Sequence, residues 1–137
     1  MKFYSIGYGG RSPDELLATL TENGVKSVAD VRIAPYAAIR DFSYSSNPEK
    51  GISALLKSRG IDYIHLEEMG NLLRHDPDWQ RKYSLLWDRC GDLLTGRLFS
   101  LQPPFCLLCA ERKIKECHRL IIADYLVKLG HEAVHIS

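Results

Sequence analysis

The chain has 137 residues, 45% of them hydrophobic and 26% charged, with a formal net charge of +1. That length is one ordinary domain able to bury a core without staples, and that composition is globular. A charge this close to zero, with both signs spread along the chain, excludes a global field for nucleic acid or membranes, so any anion site must be local.

Met1 to Gly7 is too short and too polar for a signal peptide, and no apolar run approaches the ~18 residues that span a bilayer. Four cysteines are too few for a disulfide scaffold. The expected compartment is the cytoplasm. The sequence leaves the oligomeric state open.

In chain order, residues 2–7 predict a strand rich in aromatic and β-branched residues, stopped by Gly7-Tyr8-Gly9-Gly10. Ser12 then caps a helix, with Pro13 in its first turn and Glu15 completing a capping box. Leu16, Leu17 and Leu20 give this helix its apolar face, and Gly24 ends it. Residues 27–31 predict the second strand, ending in Asp30-Val31-Arg32. Residues 33–47, with Pro35, Asn47 and several serines, read as a long functional or mobile loop. Pro48 to Arg59 predicts the second helix, closed by Gly60.

Residues 62–66 predict the third strand, with Tyr63 and His65 on one face and Ile64 and Leu66 on the other. Residues 67–78 read as irregular, and Trp79 to about Leu94 as the third helix. The almost wholly apolar run 105–110 predicts a central strand covered on both faces. A charged connection, residues 111–116, leads to a last helix over 117–129, ended by Gly130. Residues 132–136 predict the fifth strand.

Strands alternating with helices imply right-handed crossovers and a single α/β domain over residues 1–137: a three-layer α/β/α sandwich around a mostly parallel, five-stranded, Rossmann-like sheet. The favoured strand order is 3-2-1-4-5. Ligands in such sheets bind beyond the carboxyl ends of the strands, near the point where strand order reverses. That rule singles out Gly7 to Arg11, Asp30-Val31-Arg32, His65, and Cys109-Ala110-Glu111 with Cys117-His118-Arg119. Four strand ends carry polar groups, and their convergence is the strongest functional signal in the sequence.

Taken together, Ser5-Ile6-Gly7-Tyr8-Gly9-Gly10-Arg11, Asp30-Val31-Arg32 with Pro35, Gly60-Ile61-Asp62-Tyr63-Ile64-His65-Leu66, Leu108-Cys109-Ala110-Glu111 and Cys117-His118-Arg119 resemble the uncharacterised domain-of-unknown-function family 488. The similarity runs nearly end to end, and the Cys-Ala-Glu…Cys-His-Arg element is its most specific part. Where the family commonly has a Leu-Gly-Gly-like turn after its histidine strand, this chain has Met69-Gly70-Asn71. The resemblance implies an α/β fold with a polar site at these motifs. It names no reaction.

Cys117-His118-Arg119 sits at a predicted helix N-terminus, where unpaired amides and the dipole favour negative charge. A thiol there loses its proton more readily, and Arg119 can grip phosphate or carboxylate in a fork. The alternative is structural: a buried Cys117, a capping His118 and an Arg119 paired with Glu111. Arg11 and Arg32 follow strands 1 and 2 directly and, with Arg119, would form a positive rim suited to an anion. The alternative for them is an ion pair such as Asp30 with an arginine, which can also orient that arginine. Arg40 and Arg74 are further cations whose part stays open.

Gly7 and Gly9 fit a dinucleotide fingerprint, but its third glycine position is Ser12, and there is no room for a substrate domain. Cys106-x-x-Cys109 resembles a metal or redox pair, yet odd spacing on one strand puts the two on opposite faces. Cys106 and Cys90 read as buried packing residues. Cys109, Cys117, His118 and His65 offer four zinc ligands, but the eight-residue separation of the cysteines is unlike compact zinc spacings, so no metal is expected. A phosphatase or sulfurtransferase loop matches only loosely. His131 and His135 read as surface or core residues. Tyr36, Phe42 and Tyr44 either stack on a base or cover the core.

Three functions compete. The first is an enzyme acting on an anionic, phosphate-bearing substrate, a nucleotide or nucleic-acid end. Here Gly7, Gly9, Arg11, Arg32, His65, Cys109 and Arg119 bind the anion; Cys117 or His118 does covalent or acid–base work; Glu111 and Asp30 orient or accept protons. The second is a non-catalytic module binding the same ligand. The third is a metal-dependent hydrolase. No cofactor is named by the sequence.

Overall fold

A computed structural model describes residues 1–37, 40–45, 47 and 49–137. Five strands form one all-parallel sheet: β1 (Lys2–Gly7), β2 (Ser27–Asp30), β3 (Asp62–His65), β4 (Phe105–Cys109) and β5 (Glu132–Ile136). Four helices connect them: α1 (Pro13–Glu22), α2 (Gly51–Lys57), α3 (Trp79–Leu94) and α4 (Arg119–Lys128). The α/β/α sandwich is as expected from the alternation. Among the described residues, no helix is long and apolar enough to cross a membrane.

Strand order departs from expectation. It is β3-β2-β4-β1-β5, so β4 lies between β2 and β1. All five residues of β4 are buried, which suits the middle of the sheet, whereas β5 is partly exposed and takes the edge. Alternation along the strands divides the core in two. Tyr4, Ile6, Val28, Cys106 and Leu108 pack with α1 and α2. Phe3, Ala29, Leu107 and Cys109 pack with Tyr83 and Trp87 of α3 and with Ile122 and Leu126 of α4.

Local chemistry explains most boundaries. The Ser12 hydroxyl accepts the Glu15 N–H at 3.1 Å, capping α1. The second helix starts at Gly51, later than the sequence suggests; Pro48, where that reading begins it, lies outside the described residues. Gly51 has φ +69°, and a Cβ there would strike the Ser43 carbonyl oxygen, which also accepts the Ile52 N–H at 2.9 Å. The helix therefore begins where the chain is pinned to residue 43. The last helix begins at Arg119, after a 3-10 turn, Ile114–Glu116, inside the charged connection.

Register carries the polar groups to one edge. Gly7 pairs with Cys109, and Asp30 pairs with both Leu108 and His65. The carboxyl ends of β1, β2, β3 and β4 are thus level. From β1 the chain leaves toward β2 through α1 on one face; from β4 it leaves toward β5 through α4 on the other. The loops diverge between these two strands, which makes the crevice there the natural ligand site.

Candidate functional site

Cys109 ends β4 and Cys117 and His118 precede α4. Connection 110–116 turns back on itself, so one ligand atom from each of the three lies within 4.8 Å of the others. Cys109 and Cys117 are each 2% exposed and His118 is 7% exposed. The Cys117 sulfur is 3.9 Å from His118 Nδ1 and accepts the Arg119 N–H at 3.5 Å, a helix-terminal amide as the sequence suggests. His118 Nε2 is 2.7 Å from the Val31 carbonyl oxygen. A carbonyl only accepts, so Nε2 carries the proton, and in the neutral ring Nδ1 presents its lone pair to the sulfurs. Tyr83 meets the imidazole edge-on at 5.5 Å between centroids.

Glu111 completes the group: its Oε2 accepts from the Cys109 sulfur at 2.6 Å. Electrostatics follow from this crowding. The neighbouring Cys117 sulfur and burial push the Cys109 thiol up. Burial would raise the Glu111 carboxyl, but the hydrogen bond from Cys109 and the nearby His118 outweigh it and hold it below its ordinary value. Burial likewise opposes charge on His118, yet Cys109, the Val31 carbonyl and Glu111 outweigh it and raise the imidazole.

The arginines and glycines expected to bind the anion have definite neighbours. Arg119 is wholly buried. Its Nη1 donates to Ser5 Oγ at 3.1 Å and its Nη2 to the main-chain oxygens of Glu111 and Arg112 at 2.9 and 3.1 Å. It therefore faces the underside of the 111–112 loop, not the crevice, and pairs with the Glu111 carbonyl, not its carboxylate. Gly7 and Gly9 serve the same loop: a Cβ on Gly7 would strike the Glu111 carbonyl, and one on Gly9 would sit 2.8 Å from the Ala110 oxygen. The Tyr8 and Gly9 amides are engaged by Cys109 and Ala110. Arg11 turns away, donating to the Gly7 and Ser137 carbonyl oxygens. The three arginines thus do not converge on one rim.

Asp30 and Arg32 form a buried, two-point ion pair, Nε–Oδ1 at 2.8 Å and Nη2–Oδ2 at 2.6 Å. Arg32 also donates to the Tyr8 hydroxyl at 3.3 Å and lies over its ring. Tyr63 donates to Asp30 Oδ2 at 2.5 Å, and its phenol is pushed far up by burial and by the carboxylate. The ion pair keeps Arg32 charged and fixed beside the crevice. His65 does reach the carboxyl edge, but its Nε2 donates to the Arg32 carbonyl oxygen at 2.7 Å, and it lines a neighbouring hollow with Tyr36, Tyr44 and Tyr63.

The cysteine–histidine group opens on a cavity of about 320 Å³. Its wall includes Tyr8, Arg32, Asn71, Arg74 and Trp79. The last three were hidden in or beside the stretch 67–78. Asn71 is only 5% exposed, its Oδ1 taking the Leu73 N–H at 3.0 Å. Arg74 is exposed and, among the described residues, has no carboxylate partner within 4.0 Å. A basic residue five before a tryptophan in a polar segment was the available signal. The side chain of Arg40 lies outside the described residues.

The cysteine assignments divide. All four are free thiols. Cys106 is wholly buried and packs toward α1 and α2, opposite to Cys109, as odd spacing on a strand requires. Cys90 is partly exposed on α3, not buried as expected.

Comparison with curated proteins and with solved structures gives no match. The family described as Domain of unknown function DUF488 matches residues 12–126. Asp30-Val31-Arg32, Cys109-Ala110-Glu111 and Cys117-His118-Arg119 fall inside that span, and Gly7 to Arg11 precede it. The match takes in β2, β3 and β4, helices α1 to α3, α4 as far as Leu126, and every residue of the cysteine–histidine group: the chain belongs to the DUF488 family.

Proposed function

We propose that the chain is an enzyme acting on an anionic, phosphate-bearing substrate, a nucleotide or nucleic-acid end, with its chemistry at Cys109, Cys117, His118 and Glu111. One observation carries this reading: two thiols and an imidazole lie within 4.8 Å of one another beside a cavity whose wall includes Arg32 and Arg74. Packing alone would be met by apolar residues, and gathering three ionisable groups in a largely buried cluster at a strand–helix junction is the usual mark of a reactive site.

Each residue then has a part. Arg74, its Nε donating to His75 Nε2 at 3.3 Å, supplies an exposed cation and Arg32 a fixed one, held by Asp30. His118, its Nε2 proton committed to Val31, turns its Nδ1 lone pair toward the two sulfurs. Glu111 accepts the hydrogen bond of the Cys109 thiol and holds it in place. Arg119, Gly7 and Gly9 act as positioning residues that seat the 110–112 loop. A cavity of about 320 Å³ suits a small ligand, and Trp79 gives it a flat apolar wall. The free thiols suit a reducing compartment such as the cytoplasm.

Titration with adenosine monophosphate and with inorganic phosphate tests the reading. Arg74→Ala weakens binding about tenfold, the loss of one charge-assisted contact, while Arg11→Ala leaves it unchanged. Equal binding by Arg74→Ala and the unaltered protein overturns it. Turnover of phosphate esters that vanishes in Cys117→Ser makes it an enzyme; binding without turnover makes it a binding module.

A further inference from the structure

We propose that Cys109, Cys117 and His118 hold one zinc ion, with its fourth coordination position opening on the cavity. The inference rests on the reading above only in placing substrate at that open position.

The donor set is the first argument. Two sulfurs and an imidazole nitrogen are a borderline-soft set that selects zinc over magnesium or calcium, which require oxygen. Geometry is the second. Zinc–sulfur bonds of about 2.3 Å and zinc–nitrogen bonds of about 2.0 Å at tetrahedral angles set sulfur and nitrogen roughly 3.5 Å apart; Cys117 Sγ and His118 Nδ1 are 3.9 Å apart. All three ligand atoms lie within 4.8 Å of one another, and around a bound ion they would stand roughly 3.5–3.8 Å apart, so side-chain shifts of up to about 1 Å close the site.

The surroundings are those a ligating histidine needs. Nε2 is spent on the Val31 carbonyl at 2.7 Å, which fixes the tautomer and aims the Nδ1 lone pair at the sulfurs. Tyr83 holds the ring edge-on. Arg119 N–H already donates to Cys117 Sγ, as amides do to metal-bound thiolates. Charge also balances: two thiolates neutralise a dication, so both sulfurs stay buried without a net charge. Each thiol releases its proton to solvent on binding, and neutral His118 releases none.

The fourth position is set by exposure. Cys109, His118 and Glu111 line the cavity, so the ion's free side faces it. The Glu111 carboxylate, 2.6 Å from Cys109 Sγ, stands beside that side, placed to accept a hydrogen bond from a water there. Three protein ligands plus an open position is the pattern of reactive, not purely structural, zinc. The eight-residue gap between the cysteines is no obstacle, because the turn Ile114–Glu116 brings the strand end and the helix start together.

The test uses reduced, metal-free protein. Zinc is titrated against a chromophoric chelator, and cobalt(II) by absorption. The expected results are one ion per chain, sulfur-to-cobalt charge-transfer bands with tetrahedral visible bands, and at least hundredfold weaker binding in Cys109→Ser, Cys117→Ser and His118→Gln. Cys106→Ser binds as the unaltered chain does. A cobalt spectrum without sulfur bands, or affinity unchanged in the Cys109→Ser/Cys117→Ser double variant, overturns the site. Should the serine variants fail to fold, alkylation of the unaltered protein decides. Zinc that shields Cys109 and Cys117 but not Cys90 supports the site, and equal labelling with and without zinc removes it. Adenosine monophosphate binding in the same metal-free protein keeps the two readings apart. Arg74-dependent binding without zinc affinity defeats the metal alone; zinc affinity without Arg74-dependent binding defeats the substrate reading alone.

Discussion

Arg119 Nη2 lies 2.9 Å from the main-chain oxygen of Glu111, so the first residue of α4 fixes the loop that carries the site's carboxylate. The same guanidinium reaches Ser5 in the middle of β1. Strand, loop and helix are thereby joined at one point beneath the crevice.

Arg119→Met removes this joint and takes the donor from the buried Ser5 hydroxyl and from the partly buried Glu111 and Arg112 carbonyls. It costs about 3 kcal/mol of stability, read as a lower urea midpoint. Arg119→Lys, which keeps the charge but not the fork, costs roughly 2 kcal/mol. The loosened loop also exposes Cys109, which alkylates faster. A midpoint unchanged in Arg119→Met rules out the joint.

Gly7→Ala and Gly9→Ala test the seat of the same loop. An alanine Cβ at residue 7 meets the Glu111 carbonyl oxygen, main chain that has no rotamer to escape into. At residue 9 the Cβ sits 2.8 Å from the Ala110 oxygen. Both lower the melting temperature, Gly7→Ala more, by about 2 kcal/mol or greater. The reverse order would show that the 110–112 loop yields easily.

Asp30→Asn leaves Arg32 buried beside a neutral group. Breaking such a pair costs about 3–5 kcal/mol, whereas Tyr63→Phe, which removes one hydrogen bond to the same carboxylate, costs about 1.5 kcal/mol. Equilibrium unfolding of Asp30→Asn, Arg32→Met and the double variant should show strong coupling, with the double variant less damaged than the sum. Simple additivity would mean that the two side chains act separately.

His135 supplies a pH prediction. Its Nδ1 lies 2.6 Å from Ser5 Oγ, and burial, with Arg119 nearby, lowers its imidazole below the ordinary value. The unfolded chain therefore binds a proton more readily than the folded one. Stability is unaffected well above the unfolded value of ~6.5 and falls as pH drops through it. Melting temperature should decline from pH 7.5 to 5 in the unaltered protein and decline less in His135→Gln. Parallel curves would remove His135 as the cause.

Much of the edge was legible in the sequence because it depends on local rules. Ser12 before Pro13, the apolar run at 105–110 and the glycines at 24, 60 and 130 mark elements through capping, periodicity and turn chemistry. Those rules alone carry Asp30, His65 and Cys109 to strand ends. They also set Cys106 and Cys109 on opposite faces, since a strand's side chains alternate whatever surrounds it.

What the sequence by itself determined is therefore the succession of strands and helices, and with it the set of polar residues at the carboxyl edge. Only the tertiary structure decided which of those residues meet. It placed β4 beside β2, turned Arg119 beneath the 111–112 loop and Arg11 toward Ser137, and brought Asn71, Arg74 and Trp79 to the cavity wall. It also closed the gap between Cys109 and Cys117–His118. Strand order and side-chain direction at a loop are settled by packing between segments far apart in the chain. Periodicity reports only which face of its own element a residue occupies, so those non-local energies leave no mark in it.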